Sequence, residues 1–202
     1  MATSERPARL LLGVSGGIAA YKAADLTSSA LRAGYEVRVV MTEAATRFIT
    51  PLTFEALTGH PVLVDALSLS GAHAPGETSI DHIAWARWAD LACVAPLTAN
   101  TLARLAVGLA DDALTAVWMA LPASTPSVLC PAMNTHMWEQ PVVQRNIRWI
   151  DDLGRHTWVW PIAKRLACGD VGVGGLAEVP DILTALQRLH PGAAPHAPGA
   201  QG

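Results

Sequence analysis

The chain has 202 residues, of which 51% are hydrophobic and 15% are charged, and its formal net charge is -3. This composition is typical of one globular domain with a large buried core, and the length is too small for two comfortable domains. The slight negative charge argues against a nucleic-acid partner or an anionic membrane surface. The polar start, residues 1–9, and the short apolar run after it argue against a signal peptide and a membrane span.

Short apolar runs alternate with helical stretches, which predicts an α/β fold with a parallel sheet covered by helices. Because each run is almost continuously apolar, both faces of the sheet should be covered, as in a doubly wound, Rossmann-like domain. The predicted strands are residues 10–14, 37–41, 91–95, 128–131 and 157–160. The predicted helices are residues 18–33, 51–58, 101–107, 112–121, 141–153 and 180–189.

Three segments fall outside this pattern. Residues 68–80 and the glycine-rich residues 161–177 are predicted to be irregular. Residues 191–202 consist of Pro, Gly, Ala, Gln and one His. We therefore expect a disordered tail after a single domain that spans residues 1–190.

The three cysteines indicate a reduced, cytoplasmic protein, because their number is odd and their spacing is not that of a metal site. Cys93 and Cys130 lie in apolar, strand-like runs, where a buried structural thiol is the commoner role. Cys168 instead lies among glycines and charged residues, and those glycines suggest a mobile flap that carries the thiol.

Clusters of small and polar residues follow the predicted strands, at the edge of the sheet where such folds bind ligands. The first strand leads through Gly13 into Ser15, Gly16 and Gly17, and a long helix begins directly afterwards. Small residues allow close approach of the backbone, and the free N–H groups at a helix start attract an anion. The spacing is neither the dinucleotide fingerprint nor a Walker motif, and a glycine turn of this kind is more often merely structural.

Two further clusters strengthen the signal from the glycine turn. Thr42, at the end of the second strand, could bond a ligand hydroxyl or phosphate, and Phe48 could pack on a ring, although core packing is the commoner role for a phenylalanine. After the third strand, several polar side chains follow Pro96, more than a helix cap needs, and they suit a multidentate phosphate site. The residues of this cluster are Thr98, Ala99, Asn100 and Thr101.

Two other side chains are candidates for chemistry. His82 begins a short amphipathic stretch, and histidine is the usual base near neutral pH, but a histidine at a helix start is more often a cap or a surface residue. Asn134 follows Ala132 and Met133 after the fourth strand, where an asparagine is usually a turn or N-cap residue.

In chain order the sequence carries the motifs VSGGIAA, MTEAATRFIT, DHIAWARWAD, PLTANT, CPAMNTHMW and KRLACGDVGVGG. Together they resemble the homo-oligomeric flavin-containing cysteine decarboxylases, and among them the phosphopantothenoylcysteine decarboxylases, from about residue 9 to residue 189. The resemblance implies FMN as cofactor and the conversion of 4′-phosphopantothenoylcysteine to 4′-phosphopantetheine in coenzyme A biosynthesis. It also implies a homo-oligomer built from trimers, with active sites between subunits. The family often has P-A-S-A-N-T where this chain has Leu97 and Thr98, a change that keeps the hydroxyl.

The resemblance also implies roles for individual residues. His82 matches the base that acts while the substrate cysteine is oxidised, and Asn134 matches the residue that holds the substrate carboxylate. Cys168 matches the proton donor for the reduction that follows loss of carbon dioxide. The residues implied in FMN binding are Gly13, Ser15, Gly16, Gly17, Thr42, Phe48, Pro96, Thr98, Ala99, Asn100, Thr101, Ala132 and Met133.

The remaining candidates concern the substrate. Met137 and Ala167 would lie near it by the same resemblance. Lys164 and Arg165 could meet its distal phosphate, or they could be ordinary exposed residues, and the sequence does not decide between the two.

A flavin suits this reaction, because direct loss of carbon dioxide from cysteine would leave an unstabilised carbanion. Prior oxidation of the cysteine to a thioaldehyde lets the electrons left by carbon dioxide delocalise into an enethiolate.

Four alternative functions explain the sequence less well than this decarboxylation. A peptidyl-cysteine decarboxylase does not need Cys168, and a flavin prenyltransferase or an electron carrier does not account for His82, Asn134 and Cys168 together. A regulatory subunit would usually carry acidic extensions, which residues 191–202 lack.

Overall fold

The computed structural model describes residues 6–65, 81–165 and 171–191, and its centre is a parallel sheet of five strands in the order β2-β1-β3-β4-β5. Two further strands form a separate antiparallel hairpin, β6-β7. The strands are β1 Ala8–Val14, β2 Tyr35–Met41, β3 Leu91–Leu97, β4 Ser127–Pro131, β5 His156–Trp158, β6 Ile162–Arg165 and β7 Val171–Gly175.

Helices connect the strands and cover the sheet. The 3₁₀ turn Ile18–Tyr21 runs directly into the first α-helix, and a second 3₁₀ turn, Glu43–Arg47, follows β2. The α-helices are α1 Lys22–Arg32, α2 Pro51–Thr58, α3 Asp81–Trp88, α4 Ala99–Val107, α5 Ala113–Ala120, α6 Thr135–Trp138, α7 Pro141–Asp151 and α8 Val179–Leu189.

Two hydrophobic clusters, one on each face of the sheet, explain the continuously apolar strands. Along β1, Leu10 and Leu12 belong to the cluster that includes residues of α1, α2 and α8. Leu11, between them, belongs to the cluster with residues of α3, α4, α5 and α7. Alternate side chains of a strand point to opposite faces, so burial on both sides requires an apolar residue at every position.

The prediction of a doubly wound parallel sheet is confirmed, and each of the five predicted strands overlaps an observed one. The prediction that residues 161–177 are irregular is wrong, since β6 and β7 lie there and pair with each other. The short helix α6 was not predicted from the sequence. Residues 68–80 and 192–202, for which predictions were made above, lie outside the described residues.

The strand order places β3 beside β1, while β2 lies on the opposite side of β1. The connections therefore leave the sheet in opposite directions at the carboxyl ends of β1 and β3, which is where folds of this kind form a ligand crevice. Within the described ranges, no helix is both long and apolar enough to cross a bilayer.

Candidate active site

A cavity of about 550 Å³ opens at the carboxyl ends of β1 and β3, a size typical of small-molecule sites. Its walls come from the turn after β1, the turn after β3, the segment after β4 and the β6-β7 hairpin. The lining residues are Gly16, Gly17, Ile18, Ala19, Tyr21, Lys22, Pro96, Thr98, Ala99, Asn100, Ala132, Met133, Asn134, Met137, Lys164, Gly174, Gly175 and Leu176.

Ser15 connects the two strand ends beneath this cavity. Its fully buried hydroxyl donates to the carbonyl of Pro96 at 2.7 Å and accepts from the backbone N–H of Thr98 at 2.9 Å. The hydroxyl hydrogen is thereby used within the protein, so Ser15 shapes the turn after β3 and does not line the cavity.

Gly16 and Gly17 allow two chain segments to approach the turn after β1. A Cβ at Gly16 would lie 2.5 Å from the Cβ of Ala44 and 2.7 Å from its carbonyl carbon, distances that no side chain could occupy. A Cβ at Gly17 would lie 3.1 Å from Cγ2 of Thr98. Gly16 is therefore required by close packing between the turns, whereas a Cβ at Gly17 would need only a small shift of the Thr98 side chain.

Two helix starts without side-chain caps face the cavity. Gly17 precedes the continuous helical segment that includes α1, and Thr98 precedes α4. Gly17 has no side chain, and the Thr98 side chain accepts no hydrogen bond from the N–H groups of its helix start. The residues that follow them, Ile18, Ala19, Ala99 and Asn100, all line the cavity. Because N–H groups in the first turn of a helix lack intrahelical partners, the arrangement is suited to an anion such as a phosphate.

Asn134 also lines this cavity, at the start of α6. Its Oδ1 accepts from the backbone N–H of His136 at 2.8 Å and so caps this short helix. The cap fixes the side chain at the cavity wall beside Met133 and Met137.

Two lysines give this cavity its positive charge. Lys22 Nζ lies 3.0 Å from a carboxylate oxygen of Glu178, and Lys164 Nζ lies 3.3 Å from the carbonyl oxygen of Leu176. Burial lowers the pKa of Lys22, but its hydrogen bonds, chiefly with Glu178, outweigh burial and leave that pKa raised. Burial and the neighbouring Lys22 ammonium lower the pKa of Lys164. One carboxylate is thus shared between two ammonium groups, which leaves the wall attractive to an anion.

His82 lies at a different site from Asn134. It lines a second cavity of about 930 Å³ that has no lining residue in common with the first. Its Nδ1 is buried and has no hydrogen-bond partner among the described residues. The residues around this second cavity are Glu43, Val64, Asp65, His82, Ile83, Ala110, Asp111, Asp112, Ala113, Ala116, Met119 and Ala120.

Eleven of the residues predicted from the sequence line the first cavity together: Gly16, Gly17, Pro96, Thr98, Ala99, Asn100, Ala132, Met133, Asn134, Met137 and Lys164. Four predicted FMN-binding residues other than Ser15 do not line it: Gly13, Thr42, Phe48 and Thr101. Ala167, Cys168 and the side chain of Arg165 lie outside the described residues.

The structure shows where each of those four residues lies and what it contacts. Gly13 gives space to α5, since a Cβ there would lie 3.1 Å from Cδ1 of Leu114. Thr42 caps the second 3₁₀ turn through Ala45 N–H, and Thr101 is buried within α4. Phe48 is 49% exposed at the end of that 3₁₀ turn, so its ring is not part of the core.

Several cavity residues were not predicted from the sequence, and Lys22 is the most polar of them. In sequence, Lys22 resembles any solvated lysine of an amphipathic helix, and its partner Glu178 is 156 residues away. The other cavity residues that were missed are Ile18, Ala19, Tyr21, Gly174, Gly175 and Leu176. The first three directly follow the glycine turn, which was the available signal.

The sequence matches the model of the Flavoprotein family over residues 1–190. A protein of Streptococcus mutans described as a probable phosphopantothenoylcysteine decarboxylase is 45% identical over 180 residues, which cover 89% of this chain and 97% of that protein. The coenzyme A biosynthesis bifunctional protein CoaBC of Bacillus subtilis is 46% identical over 181 residues, which cover 90% of this chain. The chain spans only 42% of that bifunctional protein.

Two solved structures are similar to this chain over most of its length. A cysteine-to-serine mutant of PPC decarboxylase, complexed with pantothenoylaminoethenethiol, superposes with a TM-score of 0.78 at 36% identity, covering 91% of this chain and 98% of that chain. The FMN binding protein AtHal3 superposes with a TM-score of 0.77 at 37% identity, covering 92% of this chain and 97% of that chain.

Proposed function

Because the chain belongs to the Flavoprotein family, we propose that it binds FMN and decarboxylates 4′-phosphopantothenoylcysteine to 4′-phosphopantetheine, a step of coenzyme A biosynthesis. One observation carries the proposal. Two uncapped helix starts, the amide of Asn134 and two lysines all face one cavity at the switch point of the sheet.

The cavity fits FMN by its size and by the groups that it offers. The N–H groups that begin the two helical segments would hold the phosphate, and the apolar Ala132 and Met133 would lie against the ring. When bound, FMN supplies the two-electron oxidation and the later reduction that the carbon–sulfur unit of the substrate needs. Five predicted residues do not line the cavity. Gly13, Ser15 and Thr101 would support its walls. Thr42 and Phe48 would contact the cofactor where a second subunit meets this surface.

The substrate would be held at both ends. The amide of Asn134 can orient the cysteine carboxylate without forming an ion pair, which matters because an ion pair would stabilise the charged ground state and oppose loss of carbon dioxide. Lys22 and Lys164, joined by Arg165, would hold the distal phosphate. Met137 and Ala167 would contact the chain between the two ends.

Two side chains would move protons. His82 would accept a proton at an imidazole nitrogen while the cysteine unit is oxidised. After carbon dioxide has left, the Cys168 thiol would give its proton to carbon as the enethiol is reduced to the saturated thiol. Oxidation and reduction then cancel, so the net reaction is loss of carbon dioxide alone.

The position of His82 supports a site shared between subunits. Within one chain His82 lines the second cavity, whereas Asn134 lines the first. We propose a trimer in which the second cavity of one subunit closes over the first cavity of its neighbour. Exposed apolar side chains adjoin both cavities, Ile18 and Tyr21 at the first and Met119 at the second, and such side chains are suited to burial between subunits.

The cysteines support a location in the reducing cytoplasm. Cys93 and Cys130 are both free and buried in the sheet. Burial, together with the neighbouring Cys93, raises the pKa of the Cys130 thiol well above its ordinary value, so this thiol stays protonated and unreactive.

A substrate comparison tests the proposal. The purified protein should be yellow, release FMN on denaturation, and act on 4′-phosphopantothenoylcysteine faster than on the same compound without phosphate. Lys22→Met should raise KM for the phosphorylated substrate only, because the loss is confined to the phosphate contact. A preference for a peptide with a C-terminal cysteine would contradict the proposed substrate.

A further inference from the structure

The β6-β7 hairpin rests directly on the chain segment that carries Asn134. The backbone N–H of Met133 donates to the carbonyl of Gly174 at 2.8 Å, which ties β7 to this segment. Within the hairpin, Lys164 pairs with Gly172 across the two strands. The contacts made by β7 therefore decide where Lys164 lies relative to Asn134.

Gly174 makes the closest of these contacts. A Cβ at this position would lie 2.2 Å from the carbonyl oxygen of Met133, and no Cβ approaches a backbone atom so closely. Its φ of 148° also lies in a region that L residues rarely adopt. Both the packing and the backbone conformation therefore require glycine.

Gly172 makes a second contact, against the first residue of α6. A Cβ there would lie 2.6 Å from Oγ1 and 2.8 Å from Cγ2 of Thr135. The Thr135 hydroxyl oxygen is buried, and in the described parts of the chain it has no hydrogen-bond partner. Thr135 therefore packs against Gly172 by van der Waals contact, without a hydrogen bond from its hydroxyl group.

We propose that Gly172, Gly174 and Thr135 are positioning residues, which seat the hairpin so that Lys164 and Asn134 are held at the spacing of the two ends of one substrate. This inference rests on the proposed function, in which Lys164 binds the distal phosphate and Asn134 the carboxylate. Binding a substrate at two points is effective only when the two points are fixed relative to each other.

A side chain at Gly172 would lift β7 from Thr135 and shift its ladder partner Lys164. The helix starts that would hold the cofactor phosphate do not depend on this contact, because the hydrogen bond between Ser15 and Thr98 sets their spacing. Substrate binding should therefore weaken while cofactor binding is kept.

The variant Gly172→Ala, in the FMN-loaded protein, tests whether the hairpin contact sets substrate affinity. We expect KM for 4′-phosphopantothenoylcysteine to rise about tenfold, as for one weakened charged contact, with FMN content unchanged. The calorimetric Kd for 4′-phosphopantetheine should rise less, because this ligand lacks the carboxylate and does not depend on the spacing of the two contacts. Val173→Ala is the matched control, because Val173 lies between the two glycines and does not line the cavity. It should leave KM and Kd unchanged.

The double variant Gly172→Ala/Thr135→Ala tests the contact itself. Removing Oγ1 and Cγ2 of Thr135 makes room for the new methyl group, so substrate affinity should return toward the wild-type value, a non-additivity expected only of residues in contact. If the single variant does not fold, Thr135→Leu enlarges the same contact from the other side and should raise KM equally.

An unchanged KM in Gly172→Ala, or no recovery in the double variant, would overturn the inference. So would an unchanged KM in Thr135→Leu. A wild-type protein without activity on 4′-phosphopantothenoylcysteine would instead reject the proposed function, so the two failures are distinguishable.

Discussion

The backbone N–H of Thr98 donates to the Ser15 hydroxyl at 2.9 Å, which joins the turn after β3 to the turn after β1. Ser15 is fully buried, and its own hydrogen goes to the carbonyl of Pro96 at 2.7 Å. One side chain thus sets the spacing of the two helix starts that face the cavity.

Ser15→Ala should therefore weaken FMN binding. The change leaves the Thr98 N–H without its acceptor, at a cost of about 1–3 kcal/mol. That cost destabilises the folded chain with or without FMN. FMN affinity should fall because the two helix starts are no longer held at their spacing, and we expect a loss of about tenfold, or about 1.4 kcal/mol, by flavin fluorescence titration. Ser127→Ala is the matched control, since Ser127 is equally buried and bonds His156 at 2.6 Å at the other end of the sheet. Equal FMN affinities in the two variants would contradict the role given to Ser15.

Asn134→Asp separates the capping role of Asn134 from its proposed role in substrate binding. A carboxylate can still cap α6 through the N–H of His136, so the melting temperature should change little. Its negative charge would face the substrate carboxylate, and like charges brought together cost several kcal/mol, so kcat/KM should fall about a hundredfold or more. A comparable fall in Asn134→Ala, together with normal activity in Asn134→Asp, would contradict the carboxylate contact.

The separation of His82 from Asn134 predicts complementation between inactive variants. In equimolar mixed trimers of His82→Gln and Asn134→Asp, about one quarter of the interfaces join a subunit with intact Asn134 to one with intact His82. After joint refolding, about a quarter of wild-type activity should therefore return. Refolding each variant alone is the control. Absence of any recovered activity in the mixture would place both residues in one subunit's site.

His156 predicts a loss of stability in mild acid. Burial, and secondarily the charge of Arg155, lowers the pKa of His156 from its ordinary 6.5 to about 4. Between these values the unfolded chain binds a proton that the folded chain does not, so stability falls as pH decreases from about 6.5 to 4. His156 is partly exposed, so we expect this contribution to be only about 1 kcal/mol.

The measurement is chemical denaturation at pH 7 and pH 5 for the wild type and for His156→Asn. Asparagine can still bond Ser127 but does not titrate, so the variant should lose less stability between the two pH values. The same pH dependence in both proteins would show that another group is responsible.

The sheet could be predicted because burial on both faces leaves a strong mark on sequence. Runs such as residues 91–95 contain hardly any polar residue, and helix α2 begins at Pro51 and ends before Gly59, whose φ is 71°. Proline at a helix start and glycine just beyond its end are local signals that require no knowledge of the fold.

The β6-β7 hairpin could not be predicted in the same way. Its second strand has three glycines in five residues, which in isolation is the composition of a loop. Gly174 and Gly172 are required by Met133 and Thr135, which approach them from elsewhere in the fold, and Gly175 lies against the side chain of Lys164 on the partner strand. A contact between distant segments leaves no periodic pattern in the sequence.

The candidate site was predictable only in part, for the same reason. Ser15 was correctly placed at the end of β1, yet the use of its hydrogen depends on Pro96, which β3 brings alongside. Lys22 came to notice only when the fold placed it beside Glu178 and Lys164. His82 was singled out by residue type, and sequence could not show that it lines a different cavity from Asn134.

If the chain removes carbon dioxide from 4′-phosphopantothenoylcysteine without net oxidation, the mass of the product must show it. The protein, loaded with FMN, should be incubated with this substrate under anaerobic conditions and the product examined by mass spectrometry. We predict a product lighter than the substrate by one carbon dioxide, with the flavin oxidised at the end. A product lighter by two further hydrogens, with the flavin left reduced, would instead indicate an oxidative cysteine decarboxylase.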